Sequence, residues 1–562
     1  MAATGVQPVP SKRLRAEATS DQHQLADPKE MQRRLFQELS RMFADEVPLY
    51  GASLEVNCVC NRTAASLLES TYQGLHLSDA VLEQTSMERH GAIRIGTAQE
   101  YEWIGRFFAV FDMEPHDFYD MTNLGTKSQP IIATAFRSAS QPENRMFTSL
   151  LQTSYFDDTT SQRIEARLAH RQIVSDRARE LIEKSEMQGG LVTKDAEELI
   201  QEARNSIFKW SGHGHDRELY EDLCKAGFNI AADIACFDTH HLNHLTPNTL
   251  CIDLYTSAMK YCLGEISESA FRMQAAVALQ QHAKMVDSAM LRLFFNHLTH
   301  DVVGKFRFSE LKQGVVDELV DDLVQCLAKE QFAFNRLPHS GFKDQIEGPA
   351  PEAPVLLRQT SYKALSEAVC FREQDGREIR ATHSARFGEI EQRGYATTAK
   401  GRVLYDRCLA LATKTQAEAG CPEEAAEAYA KAFQPFPSTL DSLCQQGLVF
   451  AIYAPSATGL AAKGRIQETS LDKLVQAGYV HREPQRYEDF LPFSAAGIFA
   501  SNLKQYGTTC TAAQKPTFTK QSLEKVLGRS IFDPASLCKQ VEHESVQHVL
   551  HALGISGSRT IE

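Results

Sequence analysis

No run of about 18 consecutive apolar residues occurs in the chain, so no membrane-spanning helix is predicted. The first 30 residues, MAATGVQPVPSKRLRAEATSDQHQLADPKE, have no apolar core, which argues against a secretory signal. Acidic residues follow Lys12, Arg13 and Arg15 at once, so this stretch reads as a polar, disordered tail over 1–30 rather than an import sequence. No CxxC pair is present, and the 13 cysteines are odd in number and scattered, only the CVC at 58–60 being close together. This excludes a zinc finger or a disulfide framework and fits a reduced, cytoplasmic protein. Basic charge is short as well: 59 Lys and Arg stand against 72 Asp and Glu, a net −13. Neither a nucleic-acid partner nor a membrane partner is expected. No internal repeat of fixed period is found.

What the chain does have is length and apolar content. With 562 residues, 43% of them hydrophobic, it can bury a large core divided among two to four structural units. PKEMQRRLFQELSRMFADEV, from 28, spaces Met31, Leu35, Leu39 and Phe43 four apart and predicts an amphipathic helix. HGAIRIGT suits a short strand. The charged stretch from about 160 to 225 reads as two helices broken at Gly189-Gly190, with Asp195 and Glu198 as a capping box. NIAADIACF reads as a short apolar strand running into THHLNHLTPNT. A helical block from about 260 to 335 ends at the proline-rich EGPAPEAPVLL. ATHSARFGEIEQRGYATT alternates as a strand does.

Three places carry chemistry. In ERHGAIRIGT, His90 and Arg94 are four apart, so on a strand they share a face and could bind opposite ends of a small acid. The plainer reading is a half-solvated sheet. In HHLNH, an extended backbone puts His240 and His244 on one face and His241 on the other, so at most two can ligate together. NHLT recurs at 296–299, followed by His300, at the end of a helical pattern; there His297 and His300 read as helix-end residues. In HSARFGEIEQRG, a strand aligns His383, Glu389, Glu391 and Arg393 on one face. Paired carboxylates need a neutralising cation, either a metal or Arg386 and Arg393. Two histidines and one carboxylate on separate strands make the facial set of a non-haem Fe(II) centre, and the same set holds zinc.

Six segments in order, ERHGAIRIGTAQE, RMFTSLLQT, HHLNHLTPNTLCID, PVLLRQTSYKAL, ARFGEIEQRG and YEDFLPFSAAGIF, resemble the 2-oxoadipate dioxygenase/decarboxylase family, also called 2-hydroxyglutarate synthases. The resemblance runs from about residue 35 to 530 and is interrupted mainly by the helical block, which reads as an insertion. It implies an α+β fold of the vicinal-oxygen-chelate kind, a curved mixed β-sheet around a metal with helices outside. The expected organisation is a catalytic domain over 31–530 and a C-terminal segment over 531–562. The implied reaction takes 2-oxoadipate and O2 to D-2-hydroxyglutarate and CO2 by decarboxylation and intramolecular hydroxylation, a step of lysine breakdown. By motif, His90, His244 and Glu391 become the Fe(II) ligands, with His240 and His241 supporting. Arg94 becomes the clamp on a substrate carboxylate, and Phe493 and Ser494 become substrate contacts. Asn248 and Phe493 depart from the family pattern, which leaves the substrate's chain length open. Two alternatives remain: a zinc hydrolase or lyase with Glu389 as base, and a metal-free scaffold.

Overall fold

The computed structural model describes residues 24–122, 128–140, 142–312, 314–373, 375–491 and 518–555. Its organising element is a five-stranded sheet in the order Glu114–Asp120, Ile131–Arg137, Arg145–Leu151, Glu88–Ile95, Leu242–Pro247. The sheet is mixed, because Arg145–Leu151 runs parallel to Glu88–Ile95 while every other pairing is antiparallel. All eight residues of Glu88–Ile95 are buried, as a strand covered on both faces requires.

The alternation of side chains separates two environments. Ile93, Ile95, Met146 and Leu245 face the large core that also contains Ile104, Phe107 and Phe108 of the helix Ala98–Val110. That helix starts directly after the strand because Thr97 and Glu100 form a reciprocal capping box. Ala92, Ala133, Ala135 and Phe147 belong to a second, smaller core with Phe490 and the helix Asn229–Cys236. His90 and Arg94 fall on this face by strand period.

Close approach is built in at Gly91. A Cβ there would lie 2.9 Å from Leu245 Cδ2, 3.1 Å from the His244 carbonyl oxygen and 3.1 Å from Met146 Cε. Glycine therefore lets the His244 strand and the Arg145 strand flank His90 tightly.

The carboxylate strand, Glu389–Arg393, pairs antiparallel with Leu357–Ser361 and lies outside the five-stranded sheet. It meets the end of the His244 strand through a parallel bridge of Asn248 with Glu391, and the Thr249 N–H donates to the Glu391 carbonyl at 2.8 Å.

Several expectations need correction. NIAADIACF is a helix, Asn229–Cys236, not a strand; a short apolar run buried all round carries no periodicity to tell the two apart. The charged stretch forms three helices before Arg217, Asp158–Leu168, Asp176–Gln188 and Thr193–Glu202, because Ser175 caps a new start. Asp195 caps nothing; it pairs with Lys184 at 2.6 Å. HSARFGEIEQRG is not one strand: Glu378–His383 ends before Glu389 begins. The first helix starts at Pro28 with Asp27 as its cap, so ordered structure begins inside the stretch read as a tail.

The helical block comprises Ile252–Cys262, Glu268–Met285, Ser288–Phe294, His300–Val303 and Val315–Leu327; the first, second and last of these pack on the long helix Pro48–Thr71, and Ser288–Phe294 packs on the strand Val480–Pro484. The C-terminal helix Pro534–Leu553 packs on the hairpin Ala451–Pro455/Val480–Pro484 around Tyr453, Leu474, Val549 and Leu553.

Candidate metal centre

His90 and His244 come from adjacent antiparallel strands, and Glu389 reaches them from the separate two-stranded sheet. One donor atom from each of these three side chains lies within 4.8 Å of the others, and all three residues are buried. The two imidazoles stand perpendicular with centroids 5.5 Å apart. Glu389 Oε2 is 3.1 Å from His90 Nε2 and 3.5 Å from His244 Nε2. Thr246, two residues beyond His244, donates its hydroxyl to the same oxygen at 3.1 Å.

Glu391, expected as the third ligand, sits elsewhere. Its Oε2 is 2.7 Å from His90 Nδ1, on the opposite side of the ring from Glu389, and accepts from Arg145 Nη2 at 3.1 Å. Its Oε1 accepts from Arg393 Nε at 2.5 Å. Burial pushes the Glu391 carboxyl up, but Arg145, Arg393 and His90 outweigh it and hold the pKa well below the usual range. Such a carboxylate favours the His90 tautomer with Nδ1 protonated and turns Nε2 toward Glu389 and the Thr246 hydroxyl, which lies 2.9 Å from it.

The donor set fits a metal on its own chemistry. Burial lowers the pKa of His244 to about 3, so its imidazole is neutral at neutral pH. Burial also works against the charged form of Glu389, yet His244, His90 and Lys343 keep its pKa below the ordinary value. Glu389 Oε1 and His244 Nδ1 are buried and make no hydrogen bond among the described residues. A neutral His244 imidazole and His90 Nε2, both turned toward one ionised, half-satisfied carboxylate, form a donor set that suits a divalent cation. Phe387 stacks on His244 at 4.9 Å and Phe490 stands edge-on to His90 at 4.7 Å, closing the donors off from water.

The family model for 2-oxoadipate dioxygenase/decarboxylase matches residues 35–316 and 278–502. The chain belongs to this family. A 2-oxoadipate dioxygenase/decarboxylase from Pseudomonas putida is 36% identical over 531 residues, covering 92% of this chain and 95% of the relative. One from Escherichia coli K12 is 32% identical over 525 residues, covering 92% and 97%. Among solved structures, the hydroxyglutarate synthase of Pseudomonas putida in complex with 2-oxoadipate superposes with a TM-score of 0.65 at 33% identity, covering 94% of this chain and 99% of that one.

Other residues singled out in the sequence fall in distinct places. Arg94 is buried and donates from Nη1 to Asp233 Oδ2 at 2.7 Å. Asp233 is the centre of a buried network: His383 Nε2 lies 2.8 Å from its Oδ1, and His241 Nε2 lies 3.4 Å away. His383 therefore joins Asp233 rather than the two glutamates. His241 also contacts Asn243 at 3.1 Å, and His240 packs on Phe208 with neither ring nitrogen hydrogen-bonded among the described residues. Asn248 uses its side-chain N–H on the Thr85 carbonyl at 3.0 Å, and its own carbonyl accepts from Asn57. Phe493 and Ser494 lie outside the described residues. His297 is exposed between two helices, and His300 opens the helix His300–Val303 instead of ending one.

Sequence reasoning missed Thr246, Arg145 and Asp233. Thr246 was open to discovery, since it shares the strand face of His244. Arg145 is the register partner of His90 in the parallel pairing, a relationship no local pattern carries.

Proposed function

We propose that the chain is an Fe(II)-dependent enzyme converting 2-oxoadipate and O2 to D-2-hydroxyglutarate and CO2, with His90, His244 and Glu389 as the metal ligands. The observation that carries this is the convergence of two imidazoles and one carboxylate in a buried site, within a chain similar over nearly its whole length to enzymes of that name. The finer fold reading, a vicinal-oxygen-chelate-like sheet, draws its support from the same arrangement of ligands on adjacent strands of a mixed sheet.

Bound Fe(II) would supply the redox centre at which the 2-oxo acid and O2 meet. The chain's own residues do the rest. Glu391 orients His90 through Nδ1, and Arg145 and Arg393 keep Glu391 ionised for that task. Thr246 holds Glu389 toward the imidazoles. The rings of Phe387 and Phe490 exclude bulk water, which keeps oxidation on the bound acid. Arg94 binds the distal carboxylate, a planar fork suiting a two-pronged contact, and Asp233 positions it. One atom of O2 ends in the new carboxylate and the other in the hydroxyl, so no second oxo acid is consumed.

The test is an oxygen electrode with parallel CO2 measurement on iron-loaded enzyme. O2 uptake and CO2 release are expected one to one with 2-oxoadipate and no added 2-oxoglutarate. Product formed under strict anaerobiosis would overturn the reading in favour of a zinc hydrolase or lyase.

A further inference from the structure

A second group of ligating side chains lies where the helical block meets the C-terminal hairpin. His300 and Asp301 open the helix His300–Val303, and His481 lies on the strand Val480–Pro484. One donor atom from each is within 4.8 Å of the others. The two imidazoles are stacked, with centroids 3.6 Å apart and planes inclined by 17°, and Asp301 Oδ1 is 3.7 Å from His481 Nε2; because imidazole lone pairs lie in the ring planes, a shared cation requires one ring to turn about its side-chain bonds. Neither ring makes a hydrogen bond among the described residues.

The junction is already organised by other contacts. Arg292, on the preceding helix Ser288–Phe294, donates from Nε to Glu483 at 2.6 Å and from Nη2 to the Arg482 carbonyl at 3.3 Å. The histidines are therefore brought together by structure that does not depend on them. His300 also lines a solvent-open crevice of about 1050 Å³.

Two imidazoles and one carboxylate suit borderline divalent cations, whereas Mg2+ and Ca2+ favour oxygen donors. We propose that His300, Asp301 and His481 form a second, peripheral site for a cation of the zinc class, which clips the helical block to the C-terminal hairpin. Nothing in the central centre is required for it, because the two sites share no residue.

The experiment titrates the full-length, iron-loaded chain with Zn2+ and counts bound metal after dialysis, with Co2+ absorption as a second readout. One zinc equivalent beyond the central metal is expected, accompanied by a rise in melting temperature. His300→Ala and His481→Ala should each lose that equivalent and the rise, while His297→Ala keeps both. His244→Ala should lose the central metal and keep the peripheral one, which separates this proposal from the functional reading. If either alanine variant folds poorly by circular dichroism, His481→Gln takes its place. Zinc uptake unchanged in a folded variant, no second equivalent in the native chain, or equal uptake of Mg2+ would each overturn the proposal.

Discussion

Glu389 and Glu391, two residues apart on one strand, grip the same imidazole from opposite sides: Glu389 lies 3.1 Å from His90 Nε2 and Glu391 lies 2.7 Å from His90 Nδ1. Only the first also faces His244. The expected outcome of Glu389→Ala is loss of iron and of turnover together. Glu391→Gln should retain iron with affinity reduced about 10- to 100-fold, the usual effect of losing a partner behind a ligating histidine. Iron content by mass spectrometry and turnover on the same samples check this. Full iron in Glu389→Ala with none in Glu391→Ala would restore Glu391 as the ligand.

The pattern of side-chain alternation made this site half legible. HGAIRI announced a strand, HHLNH was placed on one only by assuming an extended backbone, and the period of two put Glu389 and Glu391 on a common face, but parity cannot say which of two same-face carboxylates touches the metal. That depends on how the Glu389–Arg393 strand crosses the end of the His244 strand at Asn248, a long-range contact. The same limit hid Asp233. Its segment reads as apolar and short, and only the packed helix Asn229–Cys236 shows that the buried aspartate is placed to meet Arg94, His241 and His383. Helix positions with strong spacing, such as Met31, Leu35, Leu39 and Phe43, were legible because local period alone decides them.

Gly91 offers a test of how tightly the sheet must close around the metal. In Gly91→Ala the new methyl meets the His244 carbonyl oxygen at 3.1 Å, a backbone atom that can give way only by moving its strand. Overpacking of this kind costs on the order of 1 to 3 kcal/mol. The variant should unfold at lower urea concentration and hold less iron, because the displaced strand carries His244. Wild-type stability with wild-type iron content would show that the strands have slack.

Acid should weaken the fold through buried histidines outside the centre. Burial lowers the pKa of His282, on the helix Glu268–Met285, to about 4, against an ordinary value of 6.5. In the unfolded chain it takes up a proton as pH falls through about 6.5, while in the folded chain it stays neutral until about 4. Its contribution is therefore complete above about pH 6.5 and is lost as pH falls toward 4. Each such group steepens the stability curve by up to about 1.4 kcal/mol per pH unit in that window. Urea unfolding of wild type and His282→Leu at pH 7, 5.5 and 4.5 should show a shallower loss in the variant; parallel curves would remove His282 from the account.

Arg94 raises the hardest separation, because its ion pair with Asp233 is itself buried. Arg94→Ala leaves Asp233, among the described residues, with His383, His241 and Asn243, so a loss of stability is expected whether or not Arg94 touches substrate. Removing one member of a buried charge pair costs about 2 to 5 kcal/mol. Melting temperature alone therefore cannot assign the role. The discriminating quantity is the preference for 2-oxoadipate over 2-oxohexanoate, which has the same reacting end and no distal carboxylate. If Arg94 clamps that carboxylate, kcat/KM for the diacid falls steeply in Arg94→Ala while the monoacid changes little, and the preference collapses. Lysine should restore part of it, since a single ammonium supplies the charge without the fork. If Arg94 serves only the network around Asp233, both substrates fall by the same factor and the preference survives. That result would leave the distal carboxylate to another cation and end the clamp assignment.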